Sequence, residues 1–288
     1  MRYHKAPVIY ADKVQLKITD LKKSIEFYQK ILGFKILEYN ERQVKLTADG
    51  KTNILTLIEP ADVVPKPSRT TGLYHFALLL PKRTDLALFT AHLDKYNINF
   101  GAADHLVSEA IYFEDLDGNG IEVYADTDPS TWSWQTGMVV MDTVPLDFDD
   151  LMSEIDLENQ SWTEMPDKTI LGHIHLHVSD LKEAEEFYTK HLGFNVVSRF
   201  RDSAIFLSTA NYHHIALNIW NGRNAPRPPK NSAGLDFYTI VYPNKEKLKK
   251  AIADLEAVGA IVESREGEFS VENSAGNRIR LTLGLPVM

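Results

Sequence analysis

Residues 13–37 read KVQLKITDLKKSIEFYQKILGFKIL, and residues 173–197 read HIHLHVSDLKEAEEFYTKHLGFNVV. Aligned without gaps at an offset of 160, 11 of these 25 positions are identical, so the chain carries an internal repeat. Each copy opens with alternating side chains, as a half-buried strand does, and passes through a Ser/Thr-Asp-Leu turn. A helix is expected next. Ile25, Phe27 and Leu32 supply much of its apolar face in the first copy, and Phe187 and Leu192 in the second. Gly33 and Gly193 fall where a helix C-terminus wants a residue free to adopt positive φ. Residues 44–47 with 53–58, and 204–208 with 214–220, then read as strands.

A second kind of module begins with GLYHFALLLP at 72–81 and returns as GLDFYTIVYP at 234–243. Each continues into a helix, over 85–96 and 245–258, and ends in a hairpin closed by DGNGIEVY at 117–124 or AGNRIRLT at 275–282. DLDGNGIE at 115–122 lacks the spacing and flanking helices of a calcium loop and reads as a β-turn. Four βαβββ modules of an α+β fold account for most of the chain. One helix covers only one face of a four-stranded sheet, so modules should pair around shared clefts as two open barrels. The repeats span 10–125 and 170–284. The acidic connector, 126–169, contains Pro129, Pro145 and Pro166, and its Leu146, Phe148, Leu151 and Met152 predict a short amphipathic helix.

With 288 residues, 44% apolar and 25% charged, the composition is that of a globular protein with room for two cores. A formal charge of −9 argues against nucleic acid or an anionic membrane as partner. The absence of cysteine excludes disulfides, thiolate ligands and a cysteine nucleophile. The first twenty residues have neither a signal-peptide h-region nor a bilayer-length apolar run, so a cytoplasmic location is expected. A homo-oligomer is left open.

Among ten histidines, His4, His92 and His191 read as ordinary polar or surface residues. His75 differs, because it begins an otherwise apolar strand. Glu122 sits between Ile121 and Val123, where a buried carboxylate needs a partner or a metal. Alternation equally permits Glu122 to point outward. If modules pair in chain order, one cleft holds Lys13, His75 and Glu122, and the other holds His173, Phe237 and Arg280. If the second and third modules pair, His75, His173 and Glu122 converge, and Lys13, Phe237 and Arg280 share the other domain. The second arrangement leaves no orphan His or Glu. Its two imidazoles and one carboxylate are the facial donor set of non-haem Fe(II), and Mn(II) has overlapping preferences.

The V-x-D-L-x-x-x-x-x-F-Y-x-x-x-L-G-F openings and D-x-x-G-x-x-I-E closing resemble the vicinal oxygen chelate superfamily, over roughly 10–125 and 170–284. That superfamily includes glyoxalase I, antibiotic-resistance proteins and type I extradiol dioxygenases. The resemblance places the ligand His seven residues before the turn Asp, which selects His173 from His173, His175 and His177 on one strand face. F-L-S-T-A-N-Y-H-H-I-A-L resembles the extradiol His-His context, whose second His is the acid–base catalyst; that role carries over to His214. The Tyr that extradiol enzymes place ten residues before the metal Glu corresponds to Tyr112. His105 is the candidate for a further catalytic His, although it does not align residue for residue. This chain also departs from that pattern by carrying the site modules in its middle.

The resemblance implies an Fe(II)-dependent extradiol dioxygenase acting on a small aromatic diol with O2. Catechol chelation beside an open position for O2 suits such a site. His213 and His214 as mere hairpin caps, and Tyr112 as core packing, are the plain alternatives. A glyoxalase-like isomerase or lyase would need a second carboxylate, where the third module offers Ala216. A non-catalytic binding or resistance protein would need only an aromatic cleft, to which Trp132, Trp134, Trp220 or Arg223 could contribute.

Overall fold

The computed structural model describes residues 3–210, 213–265 and 267–284; Asn211 and Tyr212 of the His-His motif lie outside the described residues. The first module runs β1 (Tyr10–Lys17), α1 (Leu21–Lys30), β2 (Lys35–Asn40), β3 (Gln43–Thr47) and β4 (Leu55–Ile58). The second runs β5 (Gly72–Leu79), α2 (Arg83–Lys95), β6 (Gly101–Asp104), β7 (Ser108–Glu114) and β8 (Gly120–Asp126). The connector holds a small hairpin, β9 (Trp134–Gln135) and β10 (Met138–Val139), and the helix α3 (Phe148–Met152). The third module comprises β11 (Ile170–His177), α4 (Leu181–Glu186) with a π turn over Phe187–His191, β12 (Asn195–Phe200), β13 (Ala204–Ser208) and β14 (Ile215–Asn218). The fourth comprises β15 (Gly234–Tyr242), α5 (Lys245–Ala257), β16 (Glu263–Arg265), β17 (Glu268–Glu272) and β18 (Arg278–Leu283).

The recurring Asp of the turn caps the following helix. Asp20 accepts from the Lys23 amide at 3.0 Å and Asp180 from the Glu183 amide at 2.8 Å. Antiparallel pairing of β1 with β15 joins the first and fourth modules, and that of β5 with β11 joins the second and third. The result is two eight-stranded sheets, ordered β16-β17-β18-β15-β1-β4-β3-β2 and β12-β13-β14-β11-β5-β8-β7-β6. The second curls into a half-barrel: Ala103 on one edge strand, β6, and Ser198 on the other, β12, line one cavity. In the first sheet Arg280 lies 3.6 Å over the Phe237 ring, a cation–π contact rather than a ligand set.

Residues on the helix-covered face of the second sheet, such as Phe76, Leu78, Ile111, Ile121, Val123, Ile174 and Leu176, join the main core. The module turns tie the sheets together. Tyr28 from the first module donates to Asp115 at 2.8 Å, and Asp115 also accepts from the Asn119 amide at 2.8 Å, the bonding of a tight turn. The connector is packed as well. Leu151 of α3 is fully buried, and Arg83 bonds Glu109 within the second module and Asp150 and Glu154 of the connector.

Gly33 and Gly193 both take positive φ, +79° and +83°. Their surroundings differ. A Cβ on Gly33 would stand 2.6 Å from the Met165 nitrogen, where the connector docks through a Met165 N–H to Gly33 carbonyl bond of 2.9 Å. On Gly193 the nearest atom would be the Ile9 Cδ1 at 3.6 Å. Gly193→Ala is therefore expected to cost about 1 kcal/mol of backbone strain. Gly33→Ala should cost about 3 kcal/mol or more, because connector backbone must also move. Urea denaturation of the two variants measures the difference.

Candidate metal centre and active-site cavity

Three strands of the half-barrel build the centre around one small residue. Ala77 on β5 faces Glu122 of the parallel strand β8 on one side and His173 of the antiparallel strand β11 on the other. His75 lies two residues earlier on the same face. Regular alternation would put His173 on the same face as Leu171, which is buried in the helix-side core. A register shift between Leu171 and His173 leaves Gly172 as the extra residue and turns His173 toward the cavity. Glycine is required there: a Cβ would come within 2.0 Å of the Tyr124 hydroxyl.

The His75 and His173 Nε2 atoms approach the same Glu122 oxygen at 2.9 and 3.1 Å, and each other at 3.3 Å. All three side chains are buried, with Glu122 only 2% exposed. Burial works to raise the Glu122 carboxyl, but the His173 and His75 rings outweigh it and hold it well below the carboxylate range. Burial lowers His75, opposed by Glu122. Neighbouring ligand atoms on one octahedral face with ~2.1 Å bonds stand about 3.0 Å apart, close to the spacings found here. Two imidazoles and one carboxylate therefore fit a divalent ion such as Fe(II), leaving its other face open.

That face opens on a cavity of about 380 Å³. His213 lines it, with its ring 4.2 Å from that of His173 and 5.2 Å from that of Phe206. Burial, with His173 close by, pushes the His213 ring well below its ordinary 6.5. Tyr112 and His105 line the opposite wall. The Tyr112 hydroxyl lies 2.6 Å from His105 Nε2, and His105 Nδ1 donates to the Asp142 carbonyl at 2.9 Å. Burial and Glu122 push Tyr112 well above 10, so it remains a phenol. His175 accepts from the Asn218 amide at 2.9 Å, and that amide's oxygen meets His177 Nδ1 at 2.7 Å.

His214, the expected acid–base residue, is not brought into this cavity. Its Nδ1 meets the Ser208 hydroxyl at 3.1 Å and its Nε2 donates to the Tyr3 carbonyl at 2.9 Å. The N-terminal segment thus fills that end of the sheet. His4, expected to be ordinary, is half-buried there, with Nε2 donating to the Gly172 carbonyl at 2.7 Å and its ring 4.8 Å from that of His214. Trp132 stacks on Tyr3 with centroids 6.1 Å apart, and Trp220 lines the cavity mouth, 45% exposed. Trp134 is exposed, and neither it nor Arg223 lines the cavity.

Fold and site together define a metal-dependent protein built from paired βαβββ modules. The chain belongs to the glyoxalase/bleomycin resistance protein/dioxygenase superfamily, whose pattern matches residues 11–123 and 170–272. It is 47% identical over 263 residues to the catechol-2,3-dioxygenase of Bacillus subtilis (strain 168), covering 90% of this chain and 92% of that one. Two solved structures share the fold. One is a putative dioxygenase from Bacillus subtilis, with a TM-score of 0.68 and 12% identity over 96% of this chain and 86% of that chain. The other is glyoxalase I from Zea mays, with a TM-score of 0.60 and 14% identity over 95% and 92%.

Iron stoichiometry after Fe(II) loading tests the assembly. Glu122→Ala should retain little or no iron, because the anionic ligand is gone. Ala77→Leu should do the same although it removes no ligand, since its side chain enters the space where Glu122 and His173 converge. Acid stability tests the N-terminal packing. Burial lowers His4 from 6.5 to about 4, so the folded state binds its proton less readily than the unfolded state. Its stabilising contribution is complete above pH 6.5 and is lost as pH falls toward 4. Between those pH values His4→Gln should therefore lose less melting temperature than the parent protein.

Proposed function

We propose that the protein is an extradiol-type ring-cleaving dioxygenase that opens a catechol-like diol with O2. The observation that carries this reading is the open face of the His75–Glu122–His173 triad, with the imidazole of His213 on one flank and the Tyr112–His105 pair on the other. The likeness to a relative named catechol-2,3-dioxygenase supports it. A glyoxalase-type isomerase would want a second carboxylate on β14, where Ala216 is buried beside His175.

When bound at the triad, Fe(II) supplies the redox-active centre that lets a diol and O2 react side by side. The chain's own groups do the rest. His213 is neutral at neutral pH and takes a proton from the second diol hydroxyl, then returns one to the oxygen that gains charge. Its partner ring, His173, and Phe206 hold it in place. Tyr112 keeps its proton, which it donates to His105 Nε2 in this structure and turns to a substrate oxygen when the diol binds. The largely apolar wall excludes water from the reacting ring. A small aromatic diol and O2 are the partners this chemistry requires; among the described residues no helix is long and apolar enough to cross a membrane.

Paired substitutions in the His-His motif test the assignment. His213→Ala should keep its iron and lose about 10²–10⁴-fold in turnover of catechol through loss of proton transfer. His214→Ala should turn over catechol within about tenfold of the parent rate but lose about 1–3 kcal/mol of stability, because Ser208 and the Tyr3 carbonyl lose their partner. Steady-state rates, iron content and urea midpoints measured on both variants would reverse the two roles if His214→Ala were the inactive one.

A further inference from the structure

We infer that the preferred diol carries a neutral, apolar substituent and that the cavity disfavours anionic catechols. This rests on the ring-cleavage reading and concerns the part of the cavity beyond the reacting oxygens.

Among the described lining residues Arg199 is the only Lys or Arg. Both of its terminal nitrogens are committed to Glu185, at 2.9 and 2.6 Å. Asp142, at the cavity mouth, is an acid. His75 and His173 are occupied at the centre, His105 is bound to the Asp142 carbonyl and Tyr112, and His175 takes the Asn218 amide on its Nε2. A carboxylate brought in on a substrate would leave water, meet the acid Asp142 at the mouth, and find no uncommitted Lys or Arg among the described lining residues away from the metal centre.

The apolar inventory is the complement. Phe206 stands between His175 and His213, with ring centroids 6.1 and 5.2 Å away, and Trp220 lies 5.2 Å from His175. Across from them, the cavity face of β6 carries only Gly101 and Ala103, which pair with Tyr112 and Ala110 of β7. A Cβ on Gly101 would meet nothing within 4 Å, so the strand leaves an open slot beside Tyr112. A flat or short alkyl group fits such a wall without needing a polar partner. The cations Lys66 and Arg69 belong to a neighbouring hollow of about 730 Å³. There the Lys66 ammonium already donates to the Leu73 and Gly118 carbonyls.

The test is anaerobic calorimetric binding to Fe(II)-loaded protein, followed by turnover with O2. The decisive pair is methyl 3,4-dihydroxybenzoate and 3,4-dihydroxybenzoate, which differ in charge far more than in size. The ester should bind at least tenfold more tightly than the acid. Glu185→Ala, which frees the Arg199 guanidinium, should narrow that gap. Ala103→Leu, which narrows the cavity wall next to that slot, should weaken 4-ethylcatechol tenfold or more while changing catechol less than threefold, at unchanged iron content. Equal or tighter binding of the acid overturns the inference. So does an Ala103→Leu protein that holds its iron and binds both neutral diols equally poorly. If Ala103→Leu fails to fold, the ester–acid comparison on the parent protein still decides. If the ester is preferred in binding but no diol is cleaved with O2, the ligand class stands and the dioxygenase reading falls.

Discussion

One extra residue in one strand governs the centre. Gly172 interrupts the pairing of β11 with β5, so that Leu171 enters the helix-side core while His173 faces the cavity. A strand's side chains alternate strictly, and without that bulge the ligand would turn to the wrong side of the sheet. The bulge has room because Tyr124 brings its hydroxyl against a residue with no side chain. From that register the rest follows: His173 and Glu122 reach the same neighbour, Ala77, from opposite sides, and His75 completes the face. The triad is a property of three strand alignments before it is a property of three residues.

The bulge also connects the centre to the start of the chain. The Gly172 carbonyl takes His4, and His214 takes the Tyr3 carbonyl, so the N-terminal segment seals the end of the half-barrel away from the cavity mouth. Adjacent histidines consequently have different surroundings. His214 has its ring nitrogens bonded to the Ser208 hydroxyl and the Tyr3 carbonyl, whereas His213 lies against His173 and borders the cavity. Burial keeps Glu122 dependent on its imidazole partners for compensation.

Much of this was legible in the sequence. The repeat, the Asp caps and the closing turns are local patterns with local causes, and they located the helices to within a few residues. The swapped pairing of modules was also readable, because chain-order pairing strands His75 and Glu122 apart from His173. Which of His213 and His214 borders the cavity was not. It depends on a carbonyl at Tyr3 and a hydroxyl at Ser208, and the first is more than two hundred positions away in the chain. His4 escaped for the same reason: nothing near it in sequence marks it as packed into the fold, and its partner is a carbonyl exposed by a bulge that alternation alone does not reveal. The cavity wall was hidden too, since small residues such as Gly101 and Ala103 carry no sequence mark of lining a cavity.

The crossing of modules between sheets bears on the order in which the molecule can assemble. When the first half has been synthesised, β1 and β5 each have a hydrogen-bonded neighbour on one side only; their other edges await β15 and β11. Neither sheet can be completed by a half-chain, and contacts of such long sequence separation slow the search for the native state. The nascent chain must therefore protect the open edge of β5 until β11 has been made, and that of β1 for longer still, until β15 follows.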